Sequence, residues 1–300
     1  MAILVVGSVA LDSIKTPFGK VEETLGGSAT HFSCSASFFS PVEIVAVVGN
    51  DFPLEHIEFL KSRGIETSGL QIVEGKTFRW KGLYEYDMNQ AQTLDTRLNV
   101  FEHFHPDLSE NHKANKYIFL ANIDPELQLE VLSQCPNPKL TVCDTMNYWI
   151  ENKREALLKT IRKTNIVLIN DSEARELMET FSLLEASKKI LSLGPEFVIL
   201  KKGEHGALMF TKNSHFSAPA LPLENVMDPT GAGDSFAGGF LGFLSMTDDI
   251  SEENIRKAVI YGSIMASFNV EGFGLNRLKS LTEKDISRRY NHFKELTRFE

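Results

Sequence analysis

The chain has 300 residues, 42% of them hydrophobic and 24% charged, with a formal charge of −9. A chain of this length buries enough apolar surface to fold without disulfides. Its acidic balance, with no Lys/Arg-rich block, excludes a broad nucleic-acid or anionic-membrane surface, since both need clustered positive charge.

In chain order, an apolar run at residues 3–6 opens the molecule as a buried strand. Residues 12–25 are expected to form one part of a small flap, and Gly26-Gly27 lead into a helical run over 28–39. A strand at 44–48 and an amphipathic helix at 54–62 follow. Residues 76–105 are rich in aromatics and partly alternating, and a turn near Asp87-Met88-Asn89 predicts an antiparallel hairpin, the second part of the flap. Strands at 117–121, 140–143, 166–169 and 197–200 then alternate with helices at 126–133, 152–162, 172–180 and 183–192. Beyond Pro222 the chain turns helical, at 235–245, 252–269 and 283–296. Strands alternating with helices predict a doubly wound, mostly parallel α/β sheet covered on both faces. A single domain over 1–300, with flap segments at about 12–25 and 76–105, is the expected organisation.

The three cysteines, Cys34, Cys135 and Cys143, match neither a disulfide framework nor a zinc-site spacing and are expected as buried packing groups. No basic leader follows Met1, and no window holds the ~18 uninterrupted apolar residues of a membrane span. A cytoplasmic setting with no membrane partner is the expectation.

The chemistry concentrates in Asp228-Pro229-Thr230-Gly231-Ala232-Gly233-Asp234-Ser235-Phe236. Pro229 ends what precedes it, and the glycines permit backbone angles closed to other residues. The amides of Gly231, Ala232 and Gly233 would then face outward at a helix N-terminus, where unpaired N–H groups and the helix dipole favour an anion. Asp234, at the start of that helix, would be a base beside a held phosphoryl group. Phosphoryl transfer needs chiefly positioning and charge stabilisation, so this pairing suits it. No G-x-x-x-x-G-K-[ST] occurs, which excludes a P-loop enzyme. Phe236 stands where a dinucleotide fingerprint needs its third glycine, which weakens a dehydrogenase reading.

This segment resembles the D-T-x-G-A-G-D-x-F signature of the ribokinase-like, or phosphofructokinase-B, family of carbohydrate and nucleoside kinases, with Pro229-Thr230 after Asp228 as a variation. Further matches follow in order: Gly7 with Asp12, the pair Gly26-Gly27 with Ser28, Gly49-Asn50-Asp51, Asn170 with Glu173, and Lys202-Gly203-Glu204-His205-Gly206. The resemblance implies a ribokinase-like fold, ATP as donor, Mg²⁺ as cofactor and Asp234 as general base. It implies that Asp12 holds two substrate hydroxyls, aided by Gly26, Gly27, Ser28 and Asn50. Asn170 and Glu173 would organise Mg²⁺ through water, although three-residue spacing equally suits a helix capping box. Thr230, Lys201, Gly203 and Gly206 would lie along the nucleotide. Lys201 stands where relatives often carry Thr. Tyr261 and Ser267 fall where the family lines its adenine pocket, although helical aromatics are more often core. The loop Glu271-Gly272-Phe273-Gly274 corresponds to one that in some relatives helps bind a monovalent cation. A homodimer through the flap edges is a further expectation.

For the substrate, Phe18, Arg79 and Trp80 lie in the flap, and aromatic faces near Asp12 suit a nucleobase. Asp144-Thr145-Met146-Asn147 keeps the Asp but not the Arg of an Asp-x-Asn-x-Arg run found in sugar-specific relatives. A ribonucleoside is therefore favoured over a sugar, and a phosphosugar least. A non-catalytic nucleotide-binding regulator is the reading from another class.

Overall fold

The computed structural model describes residues 1–298. Its strands are β1 (Ile3–Val6), β2 (Ala10–Thr16), β3 (Gly19–Gly26), β4 (Val42–Gly49), β5 (Ile65–Val73), β6 (Phe78–Tyr84), β7 (Ala91–Arg97), β8 (Tyr117–Leu120), β9 (Leu140–Cys143), β10 (Ile166–Asn170), β11 (Phe197–Lys201), β12 (Ala207–Phe210) and β13 (His215–Ala218). Nine of them form one sheet in the order β13-β12-β11-β10-β9-β8-β1-β4-β5. Neighbours from β11 to β5 are parallel, while β12 and β13 are antiparallel additions at one edge.

Alternate side chains of each central strand leave on opposite faces, and both faces are covered. Ile3, Val5, Phe119 and Leu168 pack with the helices Ser28–Ala36, Ala232–Thr247, Glu252–Asn269 and Glu283–Leu296. Leu4, Val6, Ile118 and Ile169 pack with Pro125–Gln134, Arg154–Ile161, Asp171–Met178 and Leu183–Leu193. Each fully buried Leu, Ile or Phe in these layers contributes about 1.5–3 kcal/mol. The rings of Phe32 and Phe119 stack at 4.2 Å and fasten the first helix to the sheet centre. All three cysteines are free and buried. Among the described residues, no helix is long and apolar enough to cross a membrane.

Strand β1 lies between β8 and β4. The chain leaves it towards β4 on one side and later returns to β8 on the other. That reversal opens a crevice at the strands' carboxyl ends, the usual ligand position in such sheets. A second sheet, ordered β3-β2-β6-β7, forms the lid. Its β2 and β6 are parallel and its outer pairs antiparallel. Asp51 fastens the lid to the body: its Oδ1 accepts from the Thr77 amide and hydroxyl, both at 2.8 Å, and its Oδ2 pairs with Arg79 at 2.9 Å.

The expected hairpin turns where Asp87-Met88-Asn89 place it, with Met88 at φ +53°. Several elements differ from the sequence reading. The helix expected over 28–39 ends at Ala36, that over 152–162 runs over Arg154–Ile161, and a separate, unexpected helix, Asn147–Asn152, precedes it across Lys153. Strands β5, β12 and β13 were not predicted. β5 is an edge strand, largely solvated and rich in polar residues, and β12 and β13 have four residues each, so none presents a long apolar run.

Candidate active site

The helix Ala232–Thr247 begins at the crevice, and Gly231 precedes it at φ +73°. A Cβ on Gly231 would lie 2.2 Å from Nδ1 of His31, so glycine is required there for space as well as for angle. The loop is braced from below by the buried Asn269. Its Nδ2 donates to the Thr230 carbonyl at 2.7 Å, and its Oδ1 accepts from Ser235 Oγ at 3.0 Å and from His31 Nδ1 at 2.9 Å. Burial lowers the His31 pKa, which keeps the ring neutral, and Nε2 is buried without a protein partner. Asp228, also buried, accepts from the Thr230 amide at 2.9 Å and the Gly274 amide at 2.8 Å.

One expected amide is committed elsewhere. Ala232 N–H donates to the Pro229 carbonyl at 3.1 Å, so it closes the turn and does not face an anion. The Gly231 and Gly233 amides have no partner among the described residues and remain open at the helix N-terminus.

Asp234 stands one residue further on. Burial, then the Asp144 carboxylate, raise its pKa to about 7, with Lys201 opposing them. Lys201 ends β11, and its Nζ donates to Asp144 Oδ2 at 2.6 Å. Burial disfavours the ammonium, but Asp144 and Glu173 outweigh it and hold the Lys201 pKa above its ordinary value. The same Nζ lies 3.1 Å from where a Cβ on Gly233 would stand, so the positive charge overlooks the open amides.

In β2, Asp12 is 5% exposed, and its Oδ2 accepts from the Gly27 amide at 3.3 Å. Burial raises its pKa to about 7, with Asp228 and Asp234 adding to the rise, so these three carboxylates share one field. Gly26 is required by space, since a Cβ would fall 1.9 Å from Asp12 Oδ2. Gly27, at φ +95°, caps the helix that begins at Ser28. The Ser28 hydroxyl is taken up by Ser8, from its amide at 3.2 Å and its hydroxyl at 3.1 Å. Asn50 is exposed in the turn after β4.

Two flap expectations are corrected. Arg79 is spent on Asp51 and on Glu23, the latter at 2.6 Å, so it anchors the lid and offers no free guanidinium to a substrate. Phe18 is 54% exposed in the β2–β3 turn, about 13 Å or more along the strand from Asp12. Trp80 behaves differently. It is the register partner of Asp12, so both side chains leave on one face of the lid. Its indole lies over Gly82, where a Cβ would meet the ring at 2.0 Å, and Nε1 donates to Thr93 Oγ1 at 3.2 Å.

At the end of β10, Asn170 and Glu173 make a complete capping box: Asn170 Oδ1 accepts from Glu173 N at 2.7 Å, and Glu173 Oε2 accepts from Asn170 N at 2.9 Å. Burial raises the Glu173 pKa to about 7 against the pull of Lys201. Glu173 Oε1 carries no protein hydrogen bond among the described residues. No group of three or more His, Cys, Asp or Glu side chains there forms a metal cage. That donor set suits a magnesium ion that keeps most of its waters. Gly203 (φ +53°) and Gly206 (φ +82°) shape the turn from β11 to β12, and a Cβ on Gly206 would strike the Ala218 carbonyl at 2.1 Å. Tyr261 is not brought to this group. It is half-buried against the core, and its ring stacks between Phe243 at 4.3 Å and Tyr290 at 5.0 Å, so packing takes the ring faces expected to line an adenine pocket. The Ser267 hydroxyl donates to the Ile264 carbonyl at 2.6 Å and accepts from Arg289 at 3.0 Å.

A parallel sheet with its crevice at the switch point, an anion-directed helix start without a P-loop, and a lid above it define a small-molecule phosphotransferase. Residues 3–281 match the pfkB family carbohydrate kinase, and the chain belongs to that family. It is thus an ATP-dependent kinase of the nucleoside and sugar kinase class. The cytidine kinase of Thermococcus kodakarensis is 30% identical over 244 residues, covering 80% of this chain and 87% of the relative. The nucleoside kinase of Methanocaldococcus jannaschii is 26% identical, covering 83% and 80%. Two solved structures share the fold: Burkholderia thailandensis nucleoside kinase in complex with inosine (TM-score 0.78, 19% identity, 97% of both chains) and adenosine kinase from Sinorhizobium meliloti (0.80, 18%, 96% and 98%).

Proposed function

We propose that this kinase transfers the γ-phosphoryl group of ATP to the hydroxymethyl group of a ribonucleoside. The observation that carries the reading is the position of Asp234, with open Gly231 and Gly233 amides and the Lys201 ammonium on one side and Asp12 on the other. Asp12 accepts from two ribose hydroxyls, as an ionised carboxylate can. The acceptor oxygen forms its bond to phosphorus as the bond to the β-phosphate oxygen breaks, and Asp234 takes the hydroxyl proton. A pKa near 7 leaves Asp234 able to accept a proton at neutral pH. Lys201 and the two amides offset charge on the phosphoryl oxygens in a site where such donors act strongly. Mg²⁺, bound with ATP, would spread phosphate charge. Glu173 would hold its waters, and Asn170 would keep Glu173 in place. Gly203 and Gly206 shape the loop expected beside the nucleotide.

The nucleoside preference is supported by Trp80, whose indole is laid flat on the lid face that carries Asp12. A base stacked on such a face gains about 1–3 kcal/mol. The test is ADP release with MgATP across cytidine, other ribonucleosides, ribose and fructose, using wild type and Trp80→Ala. Nucleoside turnover is expected, with KM for the nucleoside rising ~10-fold in Trp80→Ala. Turnover of free sugars alone would return the protein to the sugar kinases. No turnover on any acceptor would favour a nucleotide-binding regulator.

A further inference from the structure

We propose that Tyr84 is a positioning residue for phosphoryl transfer, the point at which the lid holds the anion-hole loop in alignment. The proposal rests on the kinase reading above. Tyr84 ends β6 and leaves the lid on the same face as Trp80, two alternations further along. It is 8% exposed, and its Oη accepts from Thr230 Oγ1 at 3.3 Å, across 146 residues of sequence. Burial raises the phenol to about 12, and the carboxylates of Asp228, Asp12 and Asp234 add to the rise, so Tyr84 is neutral and lies within their field. The contact with Thr230 ties the lid to the loop that leads into the helix of Asp234.

Thr230 explains why that contact matters. Its amide is fixed on Asp228 and its carbonyl on Asn269. The hydroxyl is the remaining polar group, and the lid supplies its partner. The next residues are Gly231 and Gly233, whose amides are the open ones. Holding the Thr230 side chain thus limits rotation at the entrance to the anion hole, which costs less during reaction if it is already done.

The lid is seated independently of Tyr84. Arg79 and Thr77 are fixed on Asp51, a Cβ on Gly19 would lie 3.2 Å from Phe273, and one on Gly274 would lie 3.1 Å from Thr24. At the hairpin tip, Asn89 Oδ1 lies 2.9 Å from where a Cβ on Gly203 would stand, so the same hairpin also leans on the loop expected beside the nucleotide. Removing the Tyr84 hydroxyl leaves these contacts in place and loosens only the alignment between lid and loop.

The experiment compares wild type, Tyr84→Phe, Thr230→Val, the double variant and Thr230→Ser, with MgATP and cytidine. Each of the two single deletions is expected to lower kcat about 3- to 10-fold, the worth of one hydrogen bond, while KM for ATP holds. The double variant should fall no further than either single, and Thr230→Ser should recover. ADP formed per phosphorylated product should exceed one in the deletions, as water reaches a less closed site. Hydrogen exchange of segment 228–236 in the ligand-free protein should quicken in Tyr84→Phe and Thr230→Val equally, a readout independent of the acceptor. Unchanged kcat and exchange in Tyr84→Phe, or additive losses in the double variant, would overturn the proposal. Asp234→Asn separates the two readings. If it abolishes turnover while Tyr84→Phe matches wild type, the positioning role fails and the kinase reading stands.

Discussion

Replacing Asp234 with Asn is expected to stabilise the protein while disabling it. The Asp234 carboxyl is displaced from 3.8 to about 7, by burial first and by Asp144 next, with Lys201 pulling back. An acid with a raised folded pKa holds its proton more tightly when folded. Stability therefore falls as pH rises from about 4 to about 7, and the full cost is present above that range. The displacement amounts to ~4 kcal/mol at most. Because Asp234 is only partly buried by its surface exposure, a gain of ~1–2 kcal/mol in Asp234→Asn is the working figure near pH 8. That corresponds to a rise in Tm of about 2–3 °C for a chain of this size. Near pH 5 the wild-type group is largely protonated when folded, and the gain should shrink to under half. Thermal unfolding of both proteins at the two pH values measures it, and kcat should drop ~10²–10⁴-fold in parallel. A variant no more stable than wild type near pH 8, or a gain indifferent to pH, would refute the electrostatic reasoning. Retained turnover would refute the base assignment.

Gly231→Ala should lose ~2–4 kcal/mol in denaturant unfolding, from the collision with His31 and the positive φ together, and His31→Ala in the same chain should recover only the collision part. Lys201→Met leaves Asp144, 3% exposed, as a buried unpaired carboxylate, and should cost ~3–5 kcal/mol, much of it recovered by adding Asp144→Asn. Because Lys201 holds the Asp234 pKa down, the acid limb of the kcat profile should move to higher pH in Lys201→Met, and an unmoved or lowered limb would count against the pairing.

What could be read along the chain was what lies close together in it. The run Asp228 to Asp234 contains the turn, the glycine angles and the helix start, so the loop and the helix beginning there were legible from local rules, while the commitment of the Ala232 amide to Pro229 was not. The central strands were legible too, because burial on both faces demands continuous apolar runs such as 166–169. The capping box of Asn170 and Glu173 was foreseeable from spacing alone, and the hairpin turn at Asp87-Met88-Asn89 from its residue types. Three solvated or very short strands, β5, β12 and β13, carried no such signature.

Contacts between distant residues were decided by tertiary structure. Lys201 meets Asp144 across 57 positions, Thr230 meets Tyr84 across 146, and His31 meets Asn269 across 238. Composition and periodicity do not encode such pairings, because they depend on how sheet, helices and lid dock. The same docking turned Arg79 into a lid anchor, placed Tyr261 in an aromatic stack against the core and spent the Ala232 amide on Pro229. A side chain's chemistry sets which partners suit it. Which partner it meets is settled only when packing decides which donors, acceptors and charges are withdrawn from water together.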